Sequence, residues 1–178
     1  VVDYTAQLNS GAVIGLDGQE NKVDLTYSNN PNYTGDGAST PNEDKGKTPE
    51  DKVIVFTYEL DVTKYLGDEK TKADAEDGTK AGFKLGNADG SKWATVDSNL
   101  RITGWVDDVT TATEVTTDAT GIFKFIGLDD GTYTLRETTT PTGYNTMADL
   151  ALTIGATTAN NQTWAGTASD ALTAIKLT

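Results

Sequence analysis

The chain has 178 residues, enough for one large domain or two small ones, and carries 27 acidic against 14 basic residues for a net charge of -13. That balance lacks the basic footprint nucleic-acid binding requires and disfavours anionic membranes. Cysteine and histidine are both absent, which excludes disulfides and thiolate metal sites and removes the usual general base. In chain order, strands are predicted over Val2 to Leu8 and Asn21 to Asn29. In the second, Asn21, Val23, Leu25 and Tyr27 share one face. Residues 31–51 are rich in Pro, Gly and polar side chains and read as a linker. The longest strand candidate is Val53 to Tyr65. Ile54, Phe56, Tyr58, Leu60 and Val62 share a face, and Lys64 continues it in phase. Residues 66–80 read as a charged loop, followed by a strand from Ala81 to Leu85 and a turn at Asn87 to Gly90. Trp93 with Val96, and Ile102 with Trp105, mark two further short strands. Ile122 to Ile126 is predicted to form a hairpin with the next strand through Asp129-Asp130-Gly131. Leu150, Leu152 and Ile154 alternate in another strand, and residues 155–168 read as loop. Leu172, Ile175 and Leu177 close the chain as a strand, or as a short helix capped by Ser169. Many short strands with turn signals between them predict an all-β sandwich.

The most informative stretch is Tyr133-Thr-Leu-Arg-Glu-Thr-Thr-Thr-Pro-Thr-Gly-Tyr144. Alternation puts Tyr133, Leu135 and Glu137 on one face, so a carboxyl group shares an apolar face with an aromatic ring and a leucine. A lone buried carboxylate is costly and has to be protonated or partnered, unless Glu137 sits at the strand end and turns to water. Lys64 raises the same question for an amine, its bland alternative being a stem that reaches out to solvent. An amine, an acid and a carboxamide such as that of Asn21, each in phase with an apolar face, are the parts of an amide-forming reaction. A neutral amine is a nucleophile, and a protonated acid can polarise a carboxamide and shuttle a proton.

This segment resembles the E-box of Gram-positive surface pilins and adhesins, through Tyr133, Leu135, Glu137, Thr138, Pro141, Gly143 and Tyr144. The stretch Asn21 to Pro31 resembles the end of the middle domain of major pilins, and Thr48 to Tyr58, running on to Lys64, the opening of the next domain. The resemblance implies a C-terminal immunoglobulin-like domain of CnaB type over residues 52–178, truncated before its last strand. Residues 1–30 would be terminal strands of a preceding domain and 31–51 the linker. It implies Lys64 as the amine and Glu137 as the assisting acid of an intramolecular isopeptide bond, with Asn21 the acceptor of the preceding domain. Asn29 and Asn30 are weaker candidates for that acceptor. For Lys64 the asparagines within reach are Asn145, Asn160 and Asn161, none on a convincing final strand. The expectation is that this chain carries parts of two bonds and completes neither.

The implied role is structural, in an extracellular pilus attached to the cell wall, with other pilin subunits as partners through sortase-made linkage. No cofactor is implied. The alternative is a stalk or ligand-binding domain of an adhesin, with a host glycan or matrix protein as partner. There Trp93, Trp105 and Trp164 would offer a stacking face, although core packing is the simpler role. Asp107/Asp108 and Asp129/Asp130 could supply a glycosidase's acid pairs, but turn chemistry explains the latter pair more simply, and the chain does not read as an enzyme. Asp68/Glu69 and Asp74/Glu76/Asp77 lack the spacing of a calcium loop and read as solvated.

Overall fold

The computed structural model describes residues 3–30, 32, 45–67, 70–74, 78–158 and 172–178, with residues 172–175 described by their backbone. Thirteen strands and no helix are found among them. By contacts the chain divides into two units, Val1–Gly18 with Phe56–Thr178, and Gln19–Val55.

The smaller unit is built from two ribbons. Strand β1 (Gln19–Val23) pairs antiparallel with β4 (Asp51–Val55), and β2 (Thr26–Ser28) with β3 (Lys45–Lys47). The register sets Asn21 opposite Val53. Val23, Val53 and Val55 stay exposed. On the ribbon's other face Lys22 pairs with Glu20 at 3.1 Å and Glu50 at 3.5 Å.

The larger unit is an all-β, immunoglobulin-like sandwich. One sheet is β5 (Tyr58–Thr63) paired with β10 (Ile122–Leu128). The other contains β6 (Gly82–Asn87), β7 (Trp93–Val96), β8 (Ile102–Val106), β11 (Gly131–Thr139), β12 (Leu150–Thr158) and β13 (Leu172–Leu177), in the order β13-β12-β11-β6-β7-β8. The short β9 (Val115–Thr116) pairs with β6. The inward residues alternate, and in β10 a bulge between Ile126 and Leu128 shifts the phase so that Leu128 also turns inward. Phe123, Phe125 and Leu128 of β10, Phe83 and Leu85 of β6, and Leu135 of β11 are all buried. Across the core the Phe83 and Phe123 rings stack with centroids 4.0 Å apart.

Several expectations change. Val2 to Leu8 is not a strand where it is described, from Asp3 onward. The single strand Asn21 to Asn29 is two, β1 and β2, with different partners. The long strand Val53 to Tyr65 breaks at Phe56-Thr57. There the Gly15 N–H donates to the Thr57 carbonyl at 2.8 Å, and the Thr57 hydroxyl donates to the Val13 carbonyl at 3.1 Å. By contacts, residues 1–18 group with 56–178 and residues 19–55 form the other unit. Residues 45–47, expected in a linker, form β3. β10 and β11 do not form a hairpin. They lie in different sheets, because the turn at 129–131 carries the chain from one inner face to the other. β12 runs on to Thr158, and the final segment is a strand rather than a helix.

Away from the core, Arg136 lies over the Trp93 ring at 4.5 Å and holds Asp149 with two nitrogens, Nη2 to Oδ2 at 2.6 Å and Nε to Oδ1 at 3.0 Å. The hydrogen bonds from Arg136 keep the Asp149 carboxyl below the usual carboxylate range. A carboxyl depressed in the folded state stabilises above its unfolded value of about 3.9, and the gain is lost as pH falls through the folded value. Both partners are partly exposed, so the effect stays below about 1 kcal/mol. Asp149→Asn is therefore expected to lower the urea midpoint slightly at neutral pH. Its difference from the parent should close as acid titration protonates Asp149.

Candidate functional site: a buried acid beside a lysine

Glu137 stands near the end of β11, where the register against β6 sets it opposite Phe83. The ladder slips between Glu137 and Thr139, a bulge that re-aims side chains at the end of the strand. As alternation predicts, Tyr133, Leu135 and Glu137 are all buried, and the Glu137 side chain has no exposed area. Lys64 follows directly on β5. Its backbone is held on both sides, its N–H donating to the Gly121 carbonyl at 2.9 Å and its carbonyl accepting from Ala73 N–H at 3.0 Å. The chain then turns back through Leu66 N–H to the Thr71 carbonyl at 2.8 Å. Leu66 and Ala73 are buried there, in a segment expected to be open loop.

These two strand ends bring the ionisable groups together. Lys64 Nζ lies 3.1 Å from Glu137 Oε1, with 19% of the lysine side chain exposed. Nζ also stands 6.0 Å from the centroid of Phe83. The second carboxylate oxygen, Oε2, accepts the Met147 N–H at 2.5 Å. Oε1 completes no aligned hydrogen bond among the described residues, although the ammonium is close enough for an ion pair. A buried oxygen left in that state is uncommon and asks for an explanation. Beside the pair lies a cavity of about 170 Å³ lined by Lys64, Leu66, Glu137, Pro141, Tyr144 and Asn145, among others. Larger apolar space, about 400 Å³, runs along β5 by Ile14, Ile154 and Leu177. It is remote in chemistry: Glu59 and Asp61 there are both tied to Lys124, at 2.7 and 2.9 Å.

Of the asparagines named from sequence, Asn145 lines the cavity and is exposed, while Asn160 and Asn161 lie outside the described residues. Asn21 is exposed on β1 in the smaller unit, and Asn29 and Asn30 follow β2 in that unit. The Met147 N–H and the Phe83 ring were not anticipated. A backbone donor leaves no signature in side-chain pattern, and Phe83 is brought near Lys64 only by the packing of one sheet on the other. Local structure explains the carboxylate pairs at 107–108 and 129–130, while Asp68, Glu69, Glu76 and Asp77 lie outside the described residues. Asp108 accepts the Thr110 N–H at 2.8 Å, and Asp107 pairs with Lys92 at 2.6 Å. Asp129 accepts the Asp130 N–H at the sheet-switching turn. Trp93 is buried beneath Arg136, and Trp105, 38% exposed, stacks on Tyr133 at 6.2 Å. Trp164 lies outside the described residues.

None of the curated proteins compared matches the chain. Among solved structures, the pilus 2b backbone protein of group B streptococcus is similar at 31% identity and TM-score 0.50. That match covers 66% of this chain and 38% of that one. The T6 backbone pilin of Streptococcus pyogenes serotype M6, of modular three-domain structure, shares the fold at 23% identity and TM-score 0.55, covering 84% of this chain and 29% of that one. The chain thus spans well under half the length of either relative. The SpaA family of prealbumin-like fold domains matches residues 69–167, more than half of the sequence. With Glu137 and its strand inside that span and the sandwich around them of the matching class, the chain belongs to the SpaA prealbumin-like fold family.

Proposed function

We propose that this chain is part of a structural subunit of a Gram-positive pilus shaft, exposed outside the cell and joined covalently to neighbouring subunits. We propose further that Lys64 and Glu137 serve one self-directed amide-forming reaction. The observation that carries this reading is the 3.1 Å contact between an amine and a carboxyl group of no exposed area, beside a cavity with room for a third side chain. Passing one proton from Nζ to Oε1 converts the ion pair into an amine and an acid. The amine attacks the carboxamide carbon of an asparagine presented to the cavity. Glu137 donates its proton toward the departing nitrogen and recovers one from the attacking nitrogen. One C–N bond forms, one breaks, and ammonia leaves. The reaction happens once per molecule, so proximity in the folded state takes the place of substrate binding. The product would tie strands together as a disulfide does, in a protein that has no cysteine and could not be unfastened by reduction.

Intact mass and peptide mapping test this. In the complete subunit the mass should fall by one ammonia for each closed bond, with Lys64 in a branched peptide. Lys64→Ala and Glu137→Ala should each abolish the branch. Lys64 found only in linear peptides there would sink the reading. The 178-residue chain by itself is expected to keep its full mass, because Asn145, though beside the cavity, is exposed rather than held against the pair.

A further inference from the structure

The segment after β11 does more than end a strand. Pro141 is fully buried, Thr142 N–H donates to the Gly78 carbonyl at 2.7 Å, and Tyr144 N–H closes a turn on the Pro141 carbonyl at 3.1 Å. Gly143 occupies the third position of that turn at φ +87°, the left-handed region a type II turn requires there. The Thr140 and Thr146 hydroxyls meet at 2.9 Å and draw the two ends of the loop together. The result is that Met147, ten residues on from Glu137 in sequence, returns its N–H to Oε2 at 2.5 Å.

We propose that residues 140–147 form a positioning clamp for Glu137, in which the Met147 N–H anchors Oε2 and leaves Oε1 as the oxygen that carries the moving proton. An N–H donor is best met by the unprotonated oxygen of a carboxylic acid, so the anchored atom is the carbonyl side and the acidic proton belongs on the other. That other oxygen is the one in contact with Lys64, and the one without an aligned partner. Lys64 is the charged group in contact with Glu137, so the clamp and the lysine hold the carboxyl from two sides. Met147 acts through Glu137 and is a positioning residue, not a catalytic one. The role of the clamp in reaction rests on the reading of Lys64 and Glu137 as a reacting pair.

Three measurements decide it. In the chain as it stands, the Met147 amide proton should resonate well downfield. Glu137→Gln, which keeps the shape but removes the acid, should shift it while leaving the Leu135 amide in place. Thr146→Val, which loosens the loop, should speed exchange of the Met147 amide about tenfold. In the complete subunit, Met147→Pro removes the donor and Met147→Ala retains it. The proline variant should close the Lys64 bond at least about tenfold more slowly, with the alanine variant at the parent rate. A Met147 amide indifferent to Glu137→Gln, or a folded proline variant reacting at the parent rate, overturns the clamp. If the proline variant does not fold, the amide measurements still decide the matter. If no bond forms even in the parent subunit, the reaction reading fails, while the amide signature still tests whether Oε2 is anchored.

Discussion

Replacing Lys64 with alanine, in chains whose full mass shows that no bond has closed, is expected to destabilise the sandwich by about 3 kcal/mol. The cost arises from what remains. Glu137 would keep the Met147 N–H on Oε2 but would have no counter-charge near Oε1, with no solvent-exposed area on its side chain. Removing one partner of a buried pair strands the other, which is more damaging than removing both. The double variant Lys64→Ala/Glu137→Leu should therefore recover much of the loss, and a double-mutant cycle should show a coupling above about 1 kcal/mol. The Phe83 ring adds little to the lysine at 6.0 Å, the edge of the useful range. A Lys64→Ala variant within experimental error of the parent would show that the 3.1 Å approach is energetically idle.

Gly121→Ala should be equally severe, although it changes no functional group. Gly121 has φ +74°, and a Cβ built on it would lie 2.7 Å from the Cβ of Lys72, 3.3 Å from the Ala73 carbonyl oxygen and 3.4 Å from that of Lys64. The first of these is no flexible tip that could swing away. Left-handed backbone costs a non-glycine residue about 1–2 kcal/mol, and overpacking adds about 1–3 kcal/mol. A fall in Tm of roughly 6–12 °C is expected by calorimetry. The Gly121 carbonyl also accepts the Lys64 N–H, so the substitution should move Lys64 as well, visible as a weakened Lys64–Glu137 coupling in the cycle above. A stable variant with the coupling intact would mean that the 121 turn relaxes without disturbing the site.

That Lys64 and Glu137 each continue an inward face is legible from period two; that the two belong together is implied only by the family resemblance. Tyr58, Leu60, Val62 and Lys64 keep one phase, and Tyr133, Leu135 and Glu137 keep another, and both phases point inward. What defeated the sequence was pairing between distant segments. Nothing local in Val53 to Tyr65 announces a break at Thr57, because the break is made by Val13 and Gly15. An Asp-Asp-Gly turn looks the same whether it folds a strand back on its neighbour or sends it to the opposite sheet. The distinction lies in which partners, β5 and β6, are already waiting. Residues 66–80 looked too charged to be packed, yet Leu66 and Ala73 are inside, the charges having been placed between them.

β5 hydrogen-bonds to β10 on one side, and among the described residues its other long side has no strand beside it. Such a margin is a template on which a second molecule could add itself, and from there a precipitate could grow. The excess of carboxylates gives each molecule a like-charged halo that holds its copies off, and Glu59 and Asp61, sharing the single Lys124, leave one net negative charge on the strand that needs guarding. That protection is colloidal, so it thins as added electrolyte shortens the range of repulsion. A chain with this margin is best handled dilute and in low salt.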